Sequence, residues 1–414
     1  MLFGESRSTR GYAANSWTLV GAKIACGPVE VRRRDLEARS GKITAIRPST
    51  SSRLQLLDLR GCLILPGLIN AHDHLEFNLF PRLGRGPYPN AGAWARDIYH
   101  PDVSPVREQL GISLEGRLRW GAVKNLLSGV TTVCHHNPYN PAVFSGDFAV
   151  RVPRRFGWAH SLEFSPDLTR RFKRTPRAWP FILHLGEAVD RGGRQELLRL
   201  DSLGALDHRT VLVHAVALGK PELNLAHKRG ASVVWCPSSN IFILGRTLNR
   251  EALESGVPIA LGTDSAMSGK GDILEEMRLA RRIARISQSR LYEMVTRDAA
   301  RIMRLRQGEG SVIEGGSADL LVVRDRGEDP ASTLLKLRTG EMEMVLVRGE
   351  IKLASPRCLE QLPATVRRRL HPVEVAGNRG RIVFVAADVP SLFGEVESVL
   401  GSVMLAHKRL EQPS

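Results

Sequence analysis

Cysteine is scarce and scattered in this sequence of 414 residues. Five cysteines occur, with no CxxC pair among them: Cys26, Cys62, Cys134, Cys236 and Cys358. A disulfide framework or a thiolate zinc site needs more cysteines at closer spacing, so both are excluded. We expect Cys236 to be a packed thiol rather than a nucleophile, because no activating partner can be named for it.

Long apolar runs are also missing. None approaches the roughly 20 residues that a membrane-spanning helix needs. The first 20 residues hold no continuous apolar segment of the kind that a secretory signal carries. These absences predict a cytoplasmic protein without a membrane segment.

Lysine is rare, with 10 lysines against 49 arginines, yet the formal net charge is +16. Such a charge can attract nucleic acid or an acidic ligand. The arginines are spread along the chain without a nucleic-acid motif, so we expect solvated faces and no nucleic-acid partner. Nucleic-acid binding through residues 151–177, with an affinity that falls steeply with salt, remains the alternative. The densest stretch, residues 151–177, is a separate hypothesis. If it lies near a barrel mouth, Arg154 and Arg155 would bind an anionic substrate group, and otherwise they contact only water.

The order of strand and helix patterns along the chain predicts an α/β protein. Short strands with glycine turns fill residues 16–65 and return from Gly308. Between them strands alternate with helices over about 240 residues, the size of a (β/α)8 barrel. We predict a TIM-like barrel at 66–306, inserted into a β-sandwich domain built from 1–65 and 307–375. Residues 376–414 form an extension of unassigned role, in which RIVFVAADVP predicts a strand and the segment from Ser391 predicts a helix.

One part of the barrel is too short. Only 44 residues separate His136 from Phe181, whereas two βα units need about 60. RRFGWAHSLEF is expected to supply one strand. The other strand must be compressed, irregular or missing.

Five side chains that suit metal coordination stand at the ends of apolar strands: His72, His74, His184, His214 and Asp264. Residues i and i+2 of a strand share a face, so His72 and His74 project together and Asp73 points away. Barrel enzymes place their active sites at this strand end. Imidazoles with a carboxylate suit zinc or iron and leave a position for water. The HxH pair alone is weak, but the joint pattern indicates one shared site.

At these residues the chain resembles the amidohydrolase superfamily. The matching segments are LILPGLINAHDHLE, GVTTV, HLGE, VLVHAVAL, CPSSNIFILG, PIALGTDSAMSG, LEEMRLA and GSVIEGGSADLLVV. More narrowly, it resembles the chlorohydrolase/deaminase branch, which includes triazine hydrolases and guanine, cytosine and adenosylhomocysteine deaminases. The resemblance runs from about Ser16 to Ile351.

The resemblance implies a role for each residue. One divalent metal would be held by His72, His74, His184 and Asp264. His214 would orient the water that the metal activates or polarise the substrate. Glu187 would carry a proton to a ring nitrogen or a leaving amine, and Asp264 would also accept a proton. Zinc is the first choice of metal and iron is the alternative.

Two departures from the family bear on this interpretation. Binuclear members usually carry a carboxylated lysine on a middle strand, but residues 154–180 contain only Lys173, in a polar run. We therefore expect a mononuclear site. The usual HTH is HDH here, and Asp73 should face away from the metal. The shortened middle commonly supplies pocket walls, so substrate specificity cannot be carried over.

Three further pairs near strand ends are candidates for the pocket: His135 with His136, Ser239 with Asn240, and Trp94 with Tyr99. One histidine of the first pair should face the barrel mouth, where it contacts substrate or orients a ligand. The second pair binds substrate or caps a loop. The aromatic pair lies in the long loop after the first barrel strand, where lids occur.

These observations predict a metal-dependent hydrolase that acts on non-peptide carbon–nitrogen bonds of a small-molecule substrate. Deamination of a nitrogen heterocycle is the first hypothesis, because HxxE supplies the proton carrier that attack on a ring needs. Hydrolysis of cyclic or linear amides, or loss of another leaving group from a heteroaromatic ring, remains open. So does a non-catalytic, degenerate barrel. The resemblance also implies, loosely, a homodimer.

Overall fold

The computed structural model describes residues 16–52, 54–375, 381–401 and 410–411. The strands of the first part of the chain are β1 (Trp17–Val20), β2 (Lys23–Ala25), β3 (Val31–Arg33), β4 (Asp35–Arg39), β5 (Lys42–Arg47), β6 (Gln55–Asp58), β7 (Cys62–Pro66), β8 (Leu68–Asp73), β9 (Val130–His135) and β10 (Gly157–Trp158). Those that follow are β11 (Phe181–Leu185), β12 (Thr210–His214), β13 (Ser232–Trp235), β14 (Ile259–Leu261), β15 (Leu320–Arg324), β16 (Met342–Val347), β17 (Glu350–Ala354), β18 (His371–Val375), β19 (Arg381–Val385) and β20 (Leu410–Glu411).

The helices are α1 (Ala91–Ile98), α2 (Val106–Gly111), α3 (Leu114–Leu126), α4 (Leu168–Arg174), α5 (Arg191–Ser202), α6 (Lys220–Arg229), α7 (Pro237–Leu244), α8 (Arg250–Glu254), α9 (Ile273–Ala284), α10 (Gln288–Met294), α11 (Arg297–Ile302), α12 (Pro330–Lys336), α13 (Pro356–Leu359), α14 (Ala364–Arg367) and α15 (Val389–Leu400). A short 3-10 turn, Leu75–Phe77, follows β8. Among the described residues, no helix is both long enough and apolar enough to cross a membrane.

Strands from the two ends of the chain share one sheet. Its order is β20-β18-β19-β17-β16-β15-β7-β2-β3, and a second sheet has the order β5-β4-β1-β6. In β5 the buried residues alternate with exposed ones, as expected for a strand with one face on a core. Strand β19, from the C-terminal extension, pairs with both β17 and β18. The extension therefore contributes to the same sheet as residues 307–375.

The parallel strands lie between these segments. β8 pairs with β9, and β10 to β14 form a second parallel sheet in sequence order. The backbone N–H groups of Thr263 and Asp264 donate to the His72 carbonyl oxygen at 3.0 and 3.1 Å, which joins the end of β14 to β8. All residues of β8, β9 and β11 are buried, as in parallel sheets covered on both faces.

The middle of this region departs from an eight-stranded pattern. One irregular segment, 151–158, bonds to β9 through Arg151 and to β11 through β10. No helix lies between β9 and β10. Residues 66–306 therefore contain seven parallel strands rather than the eight expected, because the short connection leaves room for one βα unit and not for two.

Two helical segments differ from what the sequence predicts. The spacing of apolar residues predicts one helix from Val106 to Gly129, but the structure divides it into α2 and α3, because the Ser113 hydroxyl accepts from the Gly116 N–H and starts a new helix. The helix predicted from Ser391 extends to Glu411, whereas α15 begins at Val389 and ends at Leu400. Residues 402–409 of that prediction lie outside the described residues, and Leu410–Glu411 form strand β20, so the prediction is wrong there.

Candidate active site

The strand-end residues converge at the carboxyl ends of the parallel strands. His72 lies in β8, His184 in β11 and His214 at the end of β12. Two of the strand ends adopt positive φ angles that non-glycine residues rarely take, with 74° at His214 and 55° at Asp264. Such conformations cost free energy and cluster at functional sites, where the surrounding structure maintains them.

Three imidazoles and one carboxylate point at a common volume. The His184 Nε2 atom lies 3.3 Å from the His72 Nε2 atom and 3.4 Å from the His74 Nε2 atom. The Asp264 Oδ1 atom lies 3.8 and 3.7 Å from the same two Nε2 atoms of His72 and His74. A tetrahedral zinc ion separates neighbouring ligand atoms by about 3.3 Å. The spacing of the four side chains therefore fits one small divalent cation.

The hydrogen bonds of the other ring nitrogens support this fit. The His184 Nδ1 atom donates to the His160 carbonyl oxygen at 2.9 Å. The His136 Nε2 atom donates to the Ala159 carbonyl oxygen at 3.0 Å, so its Nδ1 atom can accept from the His72 Nδ1 atom at 3.2 Å. The lone pairs of the His72 and His184 Nε2 atoms then face each other. That arrangement is repulsive unless a cation lies between them, so the donor set fits a metal.

A glycine brings β14 close to β8. A Cβ atom at Gly262 would lie 2.8 Å from the His72 Cβ atom and 2.9 Å from the His72 backbone nitrogen. Any side chain at this position would push the two strand ends apart. The glycine in PIALGTD thus lets Asp264 reach the histidines of β8.

Hydroxyl groups hold the Asp264 carboxylate in place. Its Oδ2 atom accepts from the Ser239 hydroxyl at 2.6 Å and from the Ser268 hydroxyl at 3.0 Å. Burial acts to raise the pKa of Asp264, but His214, His74 and the two hydroxyls outweigh it and lower the pKa. The structure therefore gives Ser239 a role in orienting Asp264.

Glu187 and His214 form a second pair beside the cluster. The Glu187 Oε2 atom lies 3.4 Å from the His214 Nε2 atom. The His214 Nδ1 atom donates to the Asn240 Oδ1 atom at 2.7 Å, which directs the Nε2 lone pair towards Glu187. Burial and the charges of Asp264 and Glu196 raise the pKa of Glu187 well above its ordinary value. A carboxyl that keeps its proton in a buried site can serve as a general acid.

Asp73 points away from the cluster, as the strand alternation predicts. Its carboxylate accepts from Asn78 at 2.7 Å, from Asn125 at 2.8 Å and from Thr263 at 3.1 Å. Burial raises its pKa to about 6. The aspartate of the HDH motif thus ties β8 to its neighbours and leaves both histidines free for the site.

The structure separates the two histidines that end β9. His136 faces the cluster, stacked on the His184 ring at a centroid distance of 4.3 Å. His135 faces Glu76 instead, 3.7 Å away. Cys236 is fully buried, and burial raises the pKa of its thiol well above the ordinary value, as expected for a packed cysteine.

Sequence reasoning missed His160. It follows β10, its ring centroid lies 4.8 Å from that of His184, and its buried Nδ1 atom has no hydrogen-bond partner in the described part of the chain. The signal was present, because His160 stands two residues after a strand, as His74 stands one residue after β8. The shortness of β10, only two residues, concealed it.

A cavity of about 220 Å³ opens beside Glu187 and His184. Its other acidic lining residues are Glu163, Asp190 and Glu196, and its lining includes no lysine or arginine from the part of the chain that the structure describes. Neither aromatic residue of the predicted lid lines this cavity. The Trp94 indole N–H donates to the Leu83 carbonyl oxygen, and Tyr99 is exposed.

The basic stretch does not reach this cavity. Arg154 and Arg155 line a different cavity, together with Ala178 and Trp179, which precede β11. They therefore lie towards the opposite end of the strands from Glu187, and the hypothesis that they bind a substrate anion at the mouth is wrong. Lys173 is exposed on α4, away from the site.

The chain is similar to known proteins both in sequence and in structure. The model of the Amidohydrolase family matches residues 184–352. A 5-methylthioadenosine/S-adenosylhomocysteine deaminase from Syntrophobacter fumaroxidans is 26% identical over 395 residues, which cover 77% of this chain and 88% of that protein.

Two solved structures are similar in fold. A variant of atrazine chlorohydrolase from Arthrobacter aurescens TC1, complexed with zinc and atraton, has a TM-score of 0.68 at 19% identity, covering 92% of this chain and 99% of that one. An adenosine deaminase from Xanthomonas campestris with bound zinc has a TM-score of 0.66 at 19% identity, covering 92% of this chain and 97% of that one. At this identity the likeness shows the fold alone, and it supports the barrel class expected from the sequence.

Proposed function

This chain resembles the amidohydrolase superfamily in its motifs, its family-model match and its fold, and from that premise we propose that it deaminates a nitrogen heterocycle. It is a metal-dependent hydrolase of carbon–nitrogen bonds other than peptide bonds. One observation carries the proposal. The Nε2 atoms of His72, His74 and His184 lie close together, and the Asp264 carboxylate lies near the first two of them. A buried Glu187–His214 pair lies beside this cluster.

One divalent ion is proposed at His72, His74, His184 and Asp264. Nitrogen and carboxylate ligands suit zinc first and iron as the alternative. When bound there, the ion lowers the pKa of water so that hydroxide is available near neutral pH. Binuclear members of the superfamily usually carry a carboxylated lysine on a middle strand. In this chain the residue near the site at the end of β10 is His160 and not a lysine, which supports a single ion.

The remaining chemistry falls to the side chains of this chain. Glu187 holds a proton because its pKa is raised, and it lies in the wall of the cavity, so it can deliver that proton to a ring nitrogen or a leaving amine. Asp264 accepts a proton through a carboxylate that Ser239 and Ser268 keep oriented. His214, held by Asn240, orients the attacking water or polarises the substrate.

The cavity restricts the substrate class. Its carboxylates, without a lysine or arginine among the lining residues, favour a neutral or cationic heterocycle over an anionic one. The free Nδ1 atom of His160 can hydrogen-bond a ring nitrogen. Adenosine, 5-methylthioadenosine and S-adenosylhomocysteine are the first compounds to test, since proteins similar in sequence or in fold bear these names.

The alternatives are hydrolysis of a cyclic or linear amide, loss of a different leaving group from a heteroaromatic ring, and a non-catalytic barrel. Ammonia release from a panel of purines, pyrimidines, triazines and adenosine derivatives separates them. The proposal predicts ammonia release from at least one heterocycle, and removal of the metal by chelation abolishes that release. Turnover of amides alone, or no turnover by protein that binds metal, would overturn it.

Three finer features complete the proposal. The barrel at residues 66–306 is inserted into a composite β-sandwich domain formed by 1–65 and 307–375, to which β19 of the extension adds a strand. The protein acts in the cytoplasm on a small-molecule substrate. It forms a homodimer, which size-exclusion chromatography with light scattering will test.

A further inference from the structure

A second and larger cavity, of about 590 Å³, lies away from the candidate active site. Its walls are the loop 139–155, the residues before β11, the segment 303–307 after α11, and the turn between β16 and β17. Ala178 and Trp179 precede β11, whereas His184 lies near its carboxyl end. The cavity has the volume of a small-molecule site, and none of the proposed metal ligands lines it. We name it the cationic groove.

Positive charge dominates the cationic groove. Seven of its lining side chains are basic: Arg151, Arg154, Arg155, Arg304, Arg306, Arg348 and Lys352. Among the described residues that line it, Glu350 alone is acidic. Arg151 is neutralised from behind by the buried carboxylates of Glu309 and Asp319. The remaining positive charges face the cavity in excess.

Most of these cations have no carboxylate partner. Within the described ranges, no ion pair engages Arg154, Arg155, Arg306 or Arg348. Arg154 lies over the Tyr139 ring, with its guanidinium carbon 5.9 Å from the ring centroid. Arg306 donates once, from Nη2 to the Ala178 carbonyl oxygen at 3.1 Å. The four guanidinium groups therefore keep most of their N–H donors for a ligand, and a guanidinium fork matches two oxygens of one phosphate.

Lys352 shows that the groove is more than a charged surface. Its side chain is 4% exposed, and its Nζ atom forms an ion pair with Glu350 Oε2 at 3.2 Å but makes no hydrogen bond of good geometry to any described residue. Glu350 also pairs with Arg369 at 3.0 Å, so one carboxylate serves two cations. A buried ammonium group whose charge is only partly balanced is costly. The positive charge of Lys352 lies in the wall of the groove and adds to its attraction for an anion.

We propose that the cationic groove binds a small organic molecule that carries two phosphate groups. Guanidinium groups without an ion-pair partner come from three different walls, with Arg154 and Arg155 on one, Arg306 on the second and Arg348 on the third. Such a distribution matches a ligand with charge at both ends. Half-buried aromatic side chains, Tyr139, Phe144 and Trp179, exclude water and strengthen those contacts. Nucleic acid would instead need an extended basic stripe, which a walled cavity of this size does not provide.

Titration calorimetry on the full-length protein with fructose 1,6-bisphosphate tests the proposal. This probe has no heterocycle, so the candidate active site has no reason to bind it. We expect saturable binding with one molecule per chain. The double variant Arg154→Gln/Arg348→Gln should bind about tenfold more weakly or worse, because two charge-assisted contacts are lost. The control Arg199→Gln/Arg282→Gln removes two exposed arginines of α5 and α9 and should bind as the wild type does.

Absence of saturable binding, or equal weakening in both double variants, would overturn the proposal. The proposal would also be overturned if a mixed-sequence DNA duplex bound more tightly than the bisphosphate and the Arg154→Gln/Arg348→Gln variant lost that binding. The groove would then be a nucleic-acid surface. If the double variant does not fold by circular dichroism, Arg155→Gln replaces it, since Arg155 is exposed and unpaired among the described residues. Metal content and ammonia release should be the same in all variants.

Discussion

Replacement of Glu187 by glutamine tests the proposed proton carrier. The variant keeps the size of the side chain and one carbonyl oxygen, but its amide group cannot take up or release a proton in this pH range. Glu187 is buried except for 12% of its side chain and lies 3.4 Å from the His214 Nε2 atom, so bulk water cannot easily take its place. Loss of a positioned general acid or base costs about 10²–10⁴-fold in rate. At about 1.4 kcal/mol per tenfold, the barrier rises by roughly 3–5 kcal/mol.

The assay is steady-state ammonia release from the best heterocycle, with metal content measured on the same samples. We expect kcat to fall by that factor while the metal content stays unchanged, because Glu187 is outside the proposed ligand set. Glu163→Gln is the matched control, since Glu163 lines the same cavity but is exposed and pairs with Arg96; it should change kcat little. Full deamination by the Glu187 variant with metal bound would refute the reasoning.

Two further predictions concern metal binding and pH. Gly262→Ala places a Cβ atom 2.8 Å from the His72 Cβ atom, so the ends of β8 and β14 must move apart. We expect the affinity for the metal, measured by competition with a chelator, to fall. Unchanged affinity would contradict the close approach of the two strands. Glu276 lies in α9, and burial raises the pKa of its carboxyl to about 8. The folded state therefore binds this proton more tightly than the unfolded chain does. We expect the free energy of unfolding to decline as the pH rises from about 4.5 to 8. Glu276→Gln should flatten that decline in thermal unfolding, and an unaltered profile would contradict it.

The sequence predicted those parts of the site that depend on local periodicity. Strand alternation places His72 and His74 on one face and Asp73 on the other, and the structure agrees because β8 is a regular, fully buried strand. Glu187 was placed at the site by the family resemblance, and it lies beside the cluster because only Gly186 separates it from the end of β11.

Other features depend on contacts that no local pattern carries. His160 escaped attention because its strand has only two residues and the chain around it is irregular. The bond between His136 and His72 joins side chains 64 positions apart. Alternation could say only that one of the two histidines after β9 faces inward, and the structure shows which one.

The positions of the arginines were equally beyond local reasoning. Composition gives the number of charged residues but does not say which of them line the cationic groove. Arg154 and Arg348 are far apart in sequence, and they line one cavity because the turn between β16 and β17 packs near the short segment before β10. That proximity is a tertiary contact, so no local pattern in the sequence could have predicted it.

The central claim is that one divalent ion is held by His72, His74, His184 and Asp264. Anomalous diffraction at the zinc and iron absorption edges, from crystals of protein purified without added metal, tests it most directly. The account predicts one anomalous peak per chain, within bonding distance of the three Nε2 atoms and the Asp264 carboxylate. The absence of a peak, even after metal is supplied to the protein, would contradict the claim. A peak coordinated by other residues would also contradict it.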